Sequence, residues 1–225
     1  AKEKVVPIIL EFYGDFKYEP ESMLNQDLIE KHKAYTTIGS MLKFDDLLEY
    51  QKGDIKVHIQ EKTMTEFKKS TGILLILLEL KEDIGVDMLL YSNDKSYDGK
   101  RYKGIRNRRG FKKPHKISSE FDRNFKLFSD NEDLSKEILC NNMMNEIKDL
   151  NEVFERKNLI CSIFKNQIFL ELNTQHNLLE IGGCYDNPLA NAETIKNFLK
   201  ELHFIFSLVA RAQAITARIK KITEI

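Results

Sequence analysis

The clearest pattern in the chain is an alternation of apolar and polar residues just after position 54. Ile55, Val57 and Ile59 are separated by single polar residues, which is the two-residue period of a half-buried strand. The sequence Lys52-Gly53-Asp54 before them contains the glycine typical of a tight turn. The pattern therefore predicts an antiparallel hairpin whose first strand includes Leu47–Tyr50.

An almost continuous run of Ile and Leu follows at Thr71–Leu80. Its length and the hairpins around it favour a central strand that is covered on both faces, with a buried helix as the alternative. Further strands are predicted at Val86–Tyr91 and Phe125–Phe128. A second hairpin is predicted from Leu159–Phe164 and Gln167–Leu172.

Helical spacing appears near both ends of the chain. Val5–Phe12 predicts a short helix, and a second one is expected at Asn25–His32. Ser129 and Glu132 have the spacing of a capping box, which predicts the start of a helical pair ending near Arg156. A wide apolar stripe near the C-terminus predicts a long helix that packs on the sheet. The stripe consists of Phe198, Leu202, Ile205, Val209 and Ala212.

These elements together predict an α+β fold. We expect an antiparallel sheet of about five strands, the helical pair, the later hairpin and the long C-terminal helix lying over the sheet. The chain has 225 residues, of which 42% are hydrophobic, enough to bury a substantial core. No linker marks a boundary, so a single domain over residues 1–225 is predicted.

The charge pattern gives the main hint of function. Nine Lys or Arg residues occupy the seventeen positions from Lys100 to Lys116, here called the basic segment, although the whole chain is formally neutral. Local positive charge attracts phosphate, anionic headgroups or acidic partners. The residues expected to contact such a surface are Lys100, Arg101, Lys103, Arg106, Arg108, Arg109, Lys112 and Lys113.

Three interpretations of the basic segment remain open. Basic clusters can simply keep an edge strand soluble and unpaired. Contact with anionic lipid is the second, because each basic residue near a charged membrane contributes roughly 1 kcal/mol. Nucleic acid is the third: Tyr97, Tyr102 and Phe111 could stack on bases, but their spacing follows no recognised module and a neutral chain is not typical of a nucleic-acid binder.

Signatures of catalysis are missing from the sequence. It has no P-loop, no dinucleotide-binding glycine motif, no nucleophile elbow and no zinc-protease motif. The five histidines are scattered singly, and a structural role is expected for each. We therefore expect neither an enzyme nor a cofactor. The alternative is a hydrolase-like site at His176, Cys184 and Asp186, around Gly182-Gly183.

The cysteines and the hydropathy bear on the location of the protein. Cys140, Cys161 and Cys184 are odd in number and widely spaced, which is typical of reduced thiols in a cytoplasmic setting. No run approaches the roughly 18–20 apolar residues that span a bilayer. The chain begins without Met, so we expect a processed or truncated form, which leaves open a membrane segment or a signal peptide ahead of it.

Several segments together resemble a known bacterial family. Ser119–Leu139, with the sequence SEFDRNFKLFSDNEDLSKEIL, resembles a hallmark of domain-of-unknown-function family three-one-three-seven. FKYEPES (16–22), GDIKVHIQE (53–61) and NLICSIFKNQIFLEL (158–172) occur in the family's order. The resemblance covers nearly the whole chain but rests on packing and turn residues.

The resemblance mainly implies where in the cell the protein is located. Family members often have membrane segments ahead of this region, and some occur beside LemA-type membrane proteins. The resemblance thus implies an interaction module tethered to the inner membrane and facing the cytoplasm, with the periplasmic face as the alternative. Its partner would be anionic lipid or a membrane protein. The family has no established activity, so it assigns no functional residue.

Overall fold

The fold is built around one antiparallel sheet of eight strands, in the order β1-β2-β3-β4-β8-β7-β5-β6. The computed structural model describes residues 2–12, 14–20, 22–25, 27, 32, 41–66, 69–92, 109–139, 144–145, 147–149 and 159–174, and separate positions between 195 and 221. The strands are β1 (Lys17–Glu19), β2 (Met41–Lys52), β3 (Ile55–Glu66), β4 (Lys69–Glu79), β5 (Met88–Ser92), β6 (Phe125–Ser129), β7 (Leu159–Phe164) and β8 (Gln167–Thr174).

Strand β4 lies inside the sheet between β3 and β8. Its even-numbered residues, such as Leu74 and Ile76, belong to one apolar cluster on what we call the first face. Its odd-numbered residues, such as Leu75 and Leu77, belong to a separate cluster on the second face. Successive side chains of a strand point to opposite faces, so a continuous Ile/Leu run is what a strand covered on both faces requires. The prediction of a central strand is confirmed.

Three short helices are bounded in the described residues: α1 (Lys2–Glu11), α2 (Ser119–Asn124) and α3 (Glu132–Ile138). Helix α3 does not begin with the predicted capping box. Ser129 is the last residue of β6, and Asn131 caps the helix by accepting a hydrogen bond from the backbone N–H of Leu134 at 3.1 Å. Most of the second predicted helix, at Asn25–His32, lies outside the described residues.

The predicted fold class is wrong. Instead of a five-stranded α+β sheet with a separate hairpin, the described residues form a single sheet of eight strands with few short helices. The physical reason lies in the later hairpin, because every residue of β8 is buried. A strand that is buried on both faces belongs in the interior of a sheet, and β8 inserts there beside β4.

The predicted long C-terminal helix is also corrected, since no helix of that length is present in the part of the chain that is described. Beyond position 194 only separate residues are described. Among them, Leu202 is buried in the first-face cluster, and the ring of Phe206 packs 4.9 Å from that of Phe16. An apolar stripe indicates which side of a segment is buried, but it does not fix how far a helix extends.

Candidate functional site

Three of the eight predicted anion-contact residues lie in the described residues, namely Arg109, Lys112 and Lys113. Lys100, Arg101, Lys103, Arg106 and Arg108 lie outside them. The rival site at His176, Cys184 and Asp186 likewise lies outside the described residues. The geometry therefore concerns the C-terminal half of the basic segment and the sheet against which it packs.

Arg109 is buried, unlike the surface contact expected from the sequence. Its side chain is only 2% exposed and forms an ion pair with Asp87, which immediately precedes β5. Nη1 donates a hydrogen bond to Ser162 Oγ at 2.6 Å, and Nη2 donates one to the carbonyl of Ile163 at 2.9 Å. The guanidinium also lies 5.1 Å from the centre of the Phe111 ring. Arg109 therefore points into the protein and cannot contact an outside surface.

Burial changes the protonation equilibria of this cluster. It lowers the pKa of Arg109 to about 10, against the opposing effects of the nearby Asp130 carboxylate and Cys161. The guanidinium therefore stays charged at neutral pH. Burial also raises the pKa of the free Cys161 thiol to about 12, although Arg109 opposes that shift. A thiol with so high a pKa is a poor nucleophile, so Cys161 has a packing role.

Lys112 and Lys113 are exposed in a short stretch that we call the basic loop, residues 109–115. After Arg109 the chain turns at Gly110, whose φ of +78° suits glycine. The loop ends at His115, whose backbone N–H donates to the carbonyl of Leu127 at 2.8 Å. The loop is thus attached to the sheet at both ends and presents two lysines between them.

The basic loop also covers part of an edge strand. Strand β6 is the last strand of the sheet, and His115 makes an isolated bridge to Leu127 on its outer side. The ring of His115 makes a further contact, with Nδ1 lying 2.9 Å from the carboxylate of Glu132. Strand edges need such protection from unwanted pairing, so this position also fits the solubility interpretation of the basic segment.

Ser162 joins the basic loop to the first part of the chain. Its hydroxyl lies 2.8 Å from Nδ1 of His32, whose ring stacks at 5.3 Å on Phe169. His32 and Ser162 are fully buried, so this pair makes a structural contact inside the described part of the fold. Sequence reasoning missed the pair. The only signal was a serine within the otherwise apolar strand β7.

A second polar cluster surrounds His58 on the second face. Its Nε2 lies 2.7 Å from the carboxylate of Glu79, and its Nδ1 lies 2.6 Å from that of Glu49. Gln167 donates to the other Glu79 oxygen at 3.2 Å. His58 is buried and bridges β2 and β4 from the strand between them. It has the hydrogen-bonded structural role expected from the sequence.

Glu79 makes this cluster sensitive to acid. Burial acts to raise its pKa, but the hydrogen bonds from His58 and Gln167 and the positive charges of His58 and Lys56 outweigh it, so the pKa lies below the ordinary 4.5. A lowered pKa means that the ionised form favours the folded state. This contribution is complete above pH 4.5 and is lost as the pH falls through the folded-state pKa.

Replacing Glu79 with Gln is therefore expected to flatten the loss of stability in acid. Between pH 6 and pH 3 the free energy of unfolding should fall by roughly 0.5 kcal/mol less than in the wild type, a small effect because solvent screens a partly exposed pair. Urea denaturation at several pH values measures this difference. His58→Gln should flatten the curve similarly, and an unchanged slope for both variants would contradict the assignment.

A shallow cleft of about 420 Å³ opens near the Glu79 end of this cluster. Acidic Asp54 and Glu79 and basic Lys56 and Lys81 line it together. The mixed charge gives the cleft no preference for an anion. Within the described ranges, no three His, Cys, Asp or Glu side chains come together in a way that could hold a metal ion.

Comparison with models of known protein families gives a match. A family described as "Protein of unknown function (DUF3137)" matches residues 63–212, which is most of the chain. Neither the curated proteins nor the solved structures contain a match. Among the helices that the structure bounds, none is long and apolar enough to cross a membrane.

Proposed function

Because the chain belongs to the DUF3137 family, whose function is unknown, we propose its role from the geometry of its charges. The proposed function is a non-catalytic interaction module of a bacterial protein tethered at the cytoplasmic face of the inner membrane. The basic segment contacts an anionic surface, which we assign to phospholipid headgroups beside the tether. The observation that carries the proposal is the basic loop, which is attached at both ends and leaves Lys112 and Lys113 exposed.

The expected strength of this contact fits a tethered module. Each basic residue near a charged membrane contributes about 1 kcal/mol, so Lys112 and Lys113 together would contribute about 2 kcal/mol. Such an attraction alone binds a free protein only weakly, so the purified domain needs a high lipid concentration to show it. A tether raises the effective concentration into the millimolar range without any new contact, and a weak contact is then sufficient.

Flotation of the purified domain with vesicles tests the proposal. The domain should float with vesicles that contain phosphatidylserine and not with neutral ones. Binding should be lost in high salt, because the screening length falls from about 10 Å at 0.1 M to about 3 Å at 1 M. The double variant Lys112→Ser/Lys113→Ser should bind about 30-fold more weakly, which corresponds to two lost contacts of 1 kcal/mol each.

The matched control removes two exposed lysines elsewhere. Lys52 and Lys81 are exposed near the β2–β3 turn and after β4, and strands β8, β7 and β5 separate β4 from β6, which the basic loop joins at His115. Lys52→Ser/Lys81→Ser changes the net charge equally and should bind like the wild type. If both double variants bind alike, the loop has no special role and the edge-protection interpretation stands. Tight binding of single-stranded or duplex nucleic acid in a parallel assay would favour the nucleic-acid alternative.

The tether is tested separately, with the natural protein in its cells. After lysis, the protein should sediment with the inner membrane, and protease added to intact spheroplasts should leave this domain uncut. Recovery in the soluble fraction would contradict the tether. Cleavage in spheroplasts would place the domain on the periplasmic face.

A further inference from the structure

Arg109 differs from the other described cations of the basic segment because its charge is turned inward. An unpaired buried charge is strongly unfavourable, so the contacts of the guanidinium must compensate for its loss of water. Those contacts come from one strand and from the segment before another: Ser162 and Ile163 on β7, and Asp87 just before β5. They fix Arg109 relative to the interior of the sheet.

The acidic partners of Arg109 are themselves fixed in place. The backbone N–H of Asp87 donates to the Asp130 carboxylate at 2.9 Å, and the backbone N–H of Asp130 donates to the carbonyl of Asp87 at 3.1 Å. These bonds continue the pairing of β5 with β6. Arg109 therefore binds a preformed acidic site at the ends of two paired strands.

The residues that follow Arg109 link its position to that of Lys112 and Lys113. The ring of Phe111 stacks on that of Phe128 at 6.2 Å and lies beside the guanidinium. Lys112 and Lys113 follow at once, before the loop rejoins the sheet at His115. Because so few residues separate the two attachment points, releasing Arg109 would free the lysines to move.

We infer that Arg109 is a positioning residue, which fixes Lys112 and Lys113 for the anionic contact without touching the anion. The inference rests on the proposed function. It predicts that binding depends on a cation that is hidden from the surface. A purely electrostatic loop would depend only on its net charge, and a purely structural Arg109 would affect only the stability of the fold.

Two variants separate these possibilities. Arg109→Lys keeps the charge, but a lysine ammonium cannot reproduce the planar fork that contacts Ser162, Ile163 and Asp87 together. Asp87→Asn removes an acid, so the net charge becomes more positive by one. If the loop acts only through its net charge, Arg109→Lys should leave vesicle binding unchanged and Asp87→Asn should tighten it. If Arg109 positions the lysines, both variants should bind the vesicles more weakly.

The experiment measures binding of the whole chain to phosphatidylserine vesicles at a temperature where circular dichroism shows each variant to be folded. Both variants should bind about fivefold more weakly, the effect of misplacing one basic residue. Amide hydrogen exchange of 111–113 should become faster, while exchange in β4 stays unchanged. The control Arg123→Lys, at the exposed end of α2, should change neither quantity.

The outcomes distinguish this inference from the proposed function. If the wild type does not bind anionic vesicles, the proposed function fails and the inference fails with it. If the wild type binds and both variants bind at least as tightly, the inference alone is overturned. If Arg109→Lys does not fold, Asp87→Asn alone tests the inference. Its added positive charge should strengthen vesicle binding, whereas a loosened loop should weaken it.

Discussion

Replacing Lys62 with Met is expected to lower the free energy of unfolding by about 3–5 kcal/mol, the usual result of removing one partner of a buried ion pair. Lys62 and Glu171 lie on the second face, on β3 and β8, and their charged atoms are 4.0 Å apart. Their side chains are 2% and 0% exposed. Without the ammonium, the Glu171 carboxylate loses a compensating charge at a position that water does not reach. Urea denaturation at neutral pH measures the loss.

The matched control is Lys56→Met, on the same strand and the same face. Lys56 lies 3.6 Å from Glu49, but its side chain is 48% exposed, so its loss should cost less than about 1 kcal/mol. The double variant Lys62→Met/Glu171→Leu should recover much of the stability, because it leaves no buried charge of this pair uncompensated. Equal losses for Lys62→Met and Lys56→Met would contradict the buried-pair assignment.

The polar face of β3 shows what the sequence could not predict, namely the burial of its polar side chains. The alternation after position 54 predicted the strand correctly, and the hairpin with β2 is confirmed. However, His58, Gln60 and Lys62 are buried, whereas alternation alone suggests a face in water. The amide of Gln60 shows the reason, since it accepts a hydrogen bond from the backbone N–H of Leu24 at 2.6 Å and donates to the carbonyl of Asp45 at 2.7 Å. Such partners come from distant parts of the chain.

The same limit explains the wrong fold class. Each strand of the later hairpin was recognisable from its residues, but β8 pairs with β4, which lies about ninety residues earlier. Local periodicity identifies a strand and carries no information about its neighbour. The candidate site could not be predicted from local sequence for the same reason. Arg109 stands among other cations in the sequence, and only the position of Asp87 and Ser162 in the folded sheet distinguishes it.

Strand β4 is the part of the fold that the sequence predicted best, and it carries the last prediction. Ile76 is fully buried on the first face, where its register partners Ile59 on β3 and Leu170 on β8 belong to the same cluster. Ile76→Ala should lower the free energy of unfolding by about 4 kcal/mol, because it removes buried methyl groups and leaves a cavity that paired neighbours on both sides cannot fill. Domains of this kind are stable by only about 5–15 kcal/mol, so urea denaturation should show a large shift of the midpoint.

The control for Ile76→Ala is the same substitution at Ile8 on α1, whose side of the helix faces solvent and which is 57% exposed. Ile8→Ala removes the same atoms without opening a cavity, and alanine favours a helix, so its effect should stay within about 0.5 kcal/mol. A common loss at both positions would mean that the first face is not closely packed around β4. A loss confined to Ile76 would show close packing at the junction of β3, β4 and β8, where segments distant in sequence meet.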